Sequence, residues 1–193
     1  MGFFKSIFGT SRNPKSVAPN NESDILSSIF RLVSQPDTQP RVHASNKAGL
    51  LLSPNGDVFF KNTESFVSKF IDQRQGKSLV QGRYFEDDHG TQWIIINHPD
   101  FRNLIEIINE LSKSISSEGL GSQMIAAVFK GDYNGENSYW ICNYRTSKFY
   151  PFVPNGKDTR NYELEMELSR HFTQNGIPVE PPANWYPLWD APF

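Results

Sequence analysis

The chain has 193 residues, 37% hydrophobic and 13% aromatic, enough for one domain with a real core. Nineteen basic residues against twenty-one acidic leave a net charge of −2, and no compact Lys/Arg run follows Arg12, which excludes a field that steers nucleic acid. Cys142 is the single cysteine, so an internal disulfide framework is excluded and a reducing, cytoplasmic home is the expectation.

Residues 1–8 are apolar apart from Lys5 and Ser6, and Phe4, Ile7 and Phe8 have helical spacing before Gly9. Such a helix is too short to stand alone in water. Phe3, Phe4, Ile7 and Phe8 are candidate membrane contacts, with Lys5 and Arg12 near anionic headgroups; equally they dock on the protein's own surface. Gly2 and Ser6 fit the loose N-myristoylation pattern. The apolar stretch is too short for a signal peptide, and no run approaches the roughly 20 residues of a membrane helix. Residues 1–22 therefore read as a short hydrophobic segment and a flexible tether, and residues 23–193 as one domain.

Ser23 or Asp24 caps a helix through Val33, with Ile25, Ile29, Leu32 and Val33 on its apolar face. Pro36 and Pro40 stop it. Residues 47–53 form a strand, Pro54-Asn55-Gly56-Asp57 turns, and Val58-Phe59-Phe60 returns as its hairpin partner. Thr63 caps a second helix carrying Phe66, Val67, Phe70 and Ile71, closed by Gly76. Residues 79–85 and 92–97 form a second hairpin; its Trp93-Ile94-Ile95-Ile96 run marks a strand covered on both faces.

Pro99-Asp100 opens the most regular helix, residues 101–117, whose stripe is Leu104, Ile107, Ile108, Leu111 and Ile115. Gly119 follows as its cap. Strands at 124–130, 139–144 and 148–153 make a meander with turns at 132–137 and 145–147. The last helix spans about 160–173 and stops at Gly176 and Pro178. Strands joined by short turns pair antiparallel, and helices arriving singly between hairpins pack mainly on one face. The predicted class is α+β, an antiparallel sheet of hairpins with helices on one side.

Local signs of catalysis are weak. Gly119-Leu120-Gly121-Ser122 follows a helix and precedes a strand, the wrong order for a phosphate loop. His43, His89, His98 and His171 lie outside metal-ligand spacing of one another, so no metal or cofactor is expected. A pairing of Cys142 with a histidine, as in an unrecognised hydrolase, has no local motif behind it. On the last helix Glu163 and Glu167 share a face while Glu165 points elsewhere, and Leu164, Leu168 and Phe172 form the buried stripe. The carboxylates make either a solvated face, with Arg170 near Glu167, or a receptor for a partner's arginines.

The C-terminal stretch is the most distinctive. Phe149-Tyr150-Pro151-Phe152-Val153-Pro154 precedes the last helix, and residues 177–193 form an extended aromatic strap that includes Trp185, Tyr186 and Trp189. The strap either clamps across the sheet or presents a partner-facing patch. Phe149, Tyr150, Phe152, Glu163, Glu167, Trp185, Tyr186 and Trp189 are the candidate partner-binding residues.

These words resemble the PspA-associated protein B family: Phe149-Tyr150-Pro151-Phe152-x-Pro154, the Arg160-Asn161-x-Glu163-Leu164-Glu165 segment that opens the last helix, and the Pro178-Val179-Glu180-Pro181 … Trp185-Tyr186-Pro187-Leu188-Trp189-x-Ala191-Pro192 ending. The resemblance covers about residues 148–193, with a fainter echo at Gly90 and Trp93. It implies a cytoplasmic accessory protein of the phage-shock envelope stress system, not an enzyme, and a fold similar to secretion-chaperone-like α+β folds. It implies a PspA-like coiled-coil protein as partner and brings no catalytic residue. The alternative is a chaperone-like module that holds an extended client peptide. The ending Asp190-Ala191-Pro192-Phe193 departs from the Gly-Ala-Pro common in the family.

Overall fold

The earliest described strand of the chain lies in the middle of the sheet. The structure, a computed structural model, describes residues 25–34, 42–53, 63–75, 80–86, 90–189 and 191–193. Its sheet has six strands: β1 (Val42–Leu52), β2 (Gln81–Glu86), β3 (Gln92–Asn97), β4 (Met124–Tyr133), β5 (Glu136–Asn143) and β6 (Lys148–Phe152). Their spatial order is β2-β3-β1-β4-β5-β6, and every neighbour pairs antiparallel. Helix α1 is α-helical over residues 25–28 and continues as a 3-10 turn, Ile29–Leu32. Helices α2 (Thr63–Gln75), α3 (Phe101–Ser117) and α4 (Tyr162–Gln174) follow. This is the α+β layout that the alternating hairpins and helices predict.

Local chemistry explains most of these elements. The Asp100 carboxylate accepts the Asn103 N–H at 2.8 Å and caps α3, whose apolar stripe is fully buried. Asn134 and Gly135 both have positive φ, so β4 and β5 meet in a two-residue turn, tighter than the sequence suggests. Trp93, Ile94, Ile95 and Ile96 of β3 are buried on both faces, as their unbroken apolar run predicts.

One predicted pairing is corrected. Both edges of β1 are taken, by β3 on one side and β4 on the other, so Val58-Phe59-Phe60 is not its hairpin partner. Residues 54–60 themselves lie outside the described residues, as do residues 1–24, with the capping residues Ser23 and Asp24, and Gly76. A local turn signal promised a hairpin; the long apolar stretch Ala48–Leu52 instead pairs with segments distant in sequence, which bury it on both sides.

The sheet separates two apolar layers. On one face Leu26, Ile29 and Leu32 of α1, Val67, Phe70 and Ile71 of α2, the α3 stripe, and Leu168 and Phe172 of α4 form a single core. On the other face Leu51, Trp93, Ile95, Val128, Tyr139, Ile141, Tyr150 and Phe152 are covered by Trp185 and Leu188, with Trp189, Ala191 and Phe193 packed at the margin. Two glycines make room for large rings. A Cβ on Gly131 would come within 2.3 Å of the fully buried Trp140 ring, and one on Gly49 within 2.9 Å of the Phe193 ring. Among the described residues no helix is long and apolar enough to cross a membrane.

Candidate functional site: the C-terminal segment and its latch

Gly176, with φ of 68°, ends α4 and turns the chain back along the free edge of β6. There the Phe149 N–H donates to the Pro178 carbonyl at 2.8 Å, and the Glu180 N–H donates to the Phe149 carbonyl at 2.8 Å. Phe149 and Val179 thus form a parallel bridge that covers the last strand's edge. A 3-10 turn at Pro182–Asn184 then swings Trp185 over the sheet. Its indole N–H donates to the Glu180 carbonyl at 2.8 Å. Further on, Arg83 donates to the Pro192 carbonyl at 2.8 Å, the Tyr139 hydroxyl donates to the Phe193 carbonyl at 3.0 Å, and the Phe193 ring stands edge-on to Trp93.

Apolar burial dominates the hold on this segment. Each buried aromatic removes ~150–250 Å² from water, a gross gain of about 4–6 kcal/mol, whereas one hydrogen bond nets about 1 kcal/mol. The polar contacts fix where the segment lies.

Two buried carboxylates organise those contacts. Glu165 has no exposed surface; its Oε1 accepts the Val153 N–H at 2.9 Å and its Oε2 accepts Arg160 Nε at 2.8 Å. The Arg160 guanidinium also donates from Nη1 to the Trp185 carbonyl at 3.1 Å and lies 5.5 Å from the Phe152 ring centre. Burial pushes the Glu165 carboxyl up, while Arg160 and the Val153 N–H pull it back. Glu180, 3% exposed, accepts the Thr146 hydroxyl and, at 3.3 Å, the Asn184 amide. One chain of contacts therefore runs from β6 through Glu165 and Arg160 to Trp185 and Glu180.

The sequence sets Glu165 apart from the face that Glu163 and Glu167 share but gives it no internal role; the structure buries it completely. Glu165, Leu168 and Phe172 stand at i, i+3 and i+7, one stripe of the helix, and all three are buried. That spacing, with Arg160 five residues upstream, is the signal that identifies Glu165 as an internal residue.

The other candidates divide by burial. Phe149, Tyr150 and Phe152 have no exposed surface and Trp185 has 5%, so they stand inside the fold. Tyr186 and Trp189 are half-buried, with Trp189 edge-on to Phe152 at 5.0 Å. Glu163 is exposed, and Glu167 is half-buried and accepts the Tyr133 hydroxyl at 3.4 Å. Tyr162, which sequence reasoning did not single out, is 52% exposed with its ring 6.1 Å from Trp185. Phe3, Phe4, Ile7, Phe8, Gly2, Ser6 and His89 lie outside the described residues. Cys142 is buried in the helix-side core, His98 is buried beside the Asp100 backbone, and His171 packs at 5.9 Å from the Tyr133 ring. Among the described residues no group of three or more His, Cys, Asp or Glu is placed to hold a metal.

Three phenols sit where ionisation is costly. Burial raises the pKa of Tyr150, burial and Glu86 raise Tyr84, and burial with Glu167 pushes Tyr133 up to about 12. A folded-state pKa above the unfolded value gives stability that is whole below pH ~10 and is lost as pH rises through the folded pKa. The urea midpoint is therefore expected to hold up to about pH 9 and fall beyond pH ~10, and Tyr150→Phe to flatten that fall. An identical slope in Tyr150→Phe would remove Tyr150 from the account.

No curated protein and no solved structure matches the chain. One family model matches residues 1–193, the whole chain, and its description is PspA associated protein B. The motif words that carry the resemblance are the same residues that build the latch. The chain belongs to the PspA associated protein B family.

Proposed function

We propose that the protein is a non-enzymatic adaptor of the PspA-type membrane stress response, acting in the cytoplasm by protein–protein contact with PspA. The observation that carries this reading is the whole-length match to a family described by its association with PspA. The latch geometry agrees with it: Phe149, Tyr150, Phe152, Trp185 and Leu188 of the family-like words are buried in closing the domain, so their chemistry is already used internally. Contact with the partner then falls to what remains at the surface around the latch, namely Tyr162, Glu163, Tyr186 and Trp189. Half-exposed Trp and Tyr beside a rigid frame are the residue types that dominate binding hot spots.

The test is calorimetric titration of the purified full chain with the PspA-type protein of the same cell, alongside co-purification under envelope stress. Direct, saturable binding is expected. Absence of binding in both formats would overturn the adaptor reading. The second reading, a chaperone-like holder of extended peptides, draws on one observation: an extended segment lies across an apolar sheet face, as a client would. Binding of unrelated apolar peptides without PspA would favour it.

A further inference from the structure

The sheet face that carries the C-terminal segment continues beyond it as a basic ledge. Phe193 lies over Gly49, between Trp93 and Tyr139. The next row of side chains across the sheet runs through Asn97, Lys47, Lys130 and Tyr139. Asn97 pairs with Lys47, and Lys130 with Tyr139. Ala48 and Phe129 are partners whose side chains face the helices; Lys47 just before Ala48 and Lys130 just after Phe129 turn to the opposite face, where the β1–β4 register shifts and the Lys47 charge acts on Lys130.

Three properties mark this row as unfinished. Lys47 and Lys130 are both half-buried, and neither is in an ion pair among the described residues. They repel each other: burial, and then the Lys47 charge, lower the Lys130 pKa. The Asn97 side-chain oxygen is buried with no hydrogen-bond donor among the described residues. Native folds leave few buried acceptors unmatched, and like charges held near each other at half-buried positions cost stability. The neighbouring Tyr139 hydroxyl and Arg83 are by contrast already engaged with the C-terminal segment.

We propose that Lys47, Lys130 and Asn97 receive an acidic segment of a protein partner, with its carboxylates on the lysines and a backbone N–H on the Asn97 oxygen. A polypeptide supplies both kinds of group at once, whereas a phosphodiester group brings acceptors alone and leaves Asn97 unmatched. The row continues from Tyr139 to Phe152, where Trp189 stands half-exposed, so a segment along it reaches the aromatic end of the latch. The partner's being a protein rests on the adaptor reading; the ledge does not.

The experiment titrates the full chain with the PspA-type protein, a hexaglutamate peptide, inorganic phosphate and phosphatidylglycerol vesicles. The variants are Lys47→Gln, Lys130→Gln, their double, Asn97→Asp, and Lys157→Gln as an exposed control elsewhere. Each lysine change is expected to weaken PspA and hexaglutamate about ten-fold, which is the size of one charge-assisted contact. Asn97→Asp fills the ledge with its own carboxylate, so it is expected to weaken both probes while raising the melting temperature. The wild-type affinity is expected to fall as salt is added, a readout that needs no variant. PspA bound with affinity indifferent to salt and to all ledge variants would overturn the ledge and leave the adaptor reading standing. PspA unbound, but hexaglutamate bound through the lysines, would sink the adaptor reading and support the ledge. Vesicles or phosphate bound through the lysines in preference to hexaglutamate would overturn the assignment to an acidic polypeptide.

Discussion

Glu165→Ala is expected to destabilise the protein by about 3–5 kcal/mol, the cost of removing one partner of a buried ion pair. The carboxylate has no solvent contact, so nothing replaces it for the Val153 N–H or for Arg160. The Arg160 side chain keeps 22% of its surface and can turn part of its charge to water, which places the loss at the lower end. For a domain of this size that is a fall in melting temperature of ~10 °C. Glu165→Gln retains an oxygen for Val153 and is expected to lose less. Replacing the pair together, Glu165→Leu with Arg160→Met, removes both charges, so its loss is expected to be smaller than that of Glu165→Ala alone. Urea unfolding of the three variants checks this, and equal losses in single and double would refute the coupled pair.

Trp185→Ala is expected to cost a similar ~3–5 kcal/mol, as large-to-small changes of buried aromatics do. The indole is 5% exposed, fills the second core and anchors on the Glu180 carbonyl at 2.8 Å. Because Arg160 also binds the Trp185 carbonyl, the Trp185 and Glu165 changes share a partner, and their effects are expected not to add. Trp189→Ala separates the two readings of the aromatic ending. Its ring is half-buried with one edge contact to Phe152, so a loss of only about 1 kcal/mol is expected. Loss of PspA binding at a nearly unchanged melting temperature would mark Trp189 as a contact; loss of folding would return it to the frame.

Some of this was legible in the residues and some was not. The α3 stripe, the buried β3 run and the hairpin pairing β2 with β3 are local patterns, and local patterns announce themselves. The central place of β1 is a long-range fact: its two neighbours come from about 45 and 80 residues away, and no period in the sequence encodes that choice. At the candidate site, Trp185 and Trp189 stood out by type, but only the fold separates the buried ring from the half-exposed one. Glu165 was hidden by its charge, since a glutamate among glutamates reads as surface until its helical stripe is followed. Lys47 and Lys130 were invisible because only the folding of β4 beside β1 brings one charge near the other.

The position of the cover in the chain also sets an order of events. Synthesis proceeds from the N-terminus at about 5–20 residues per second, and strands β1 to β6 are complete before Trp185 and Leu188 exist. For that interval Leu51, Trp93, Ile95, Val128, Ile141, Tyr150 and Phe152 form an oily plate without its lid. A nascent or prematurely ended chain is thus sticky in a way the finished one is not. Any process that stalls translation before residue 185 would release a species primed to clump, so the safety of each molecule depends on Trp185 and Leu188 being made.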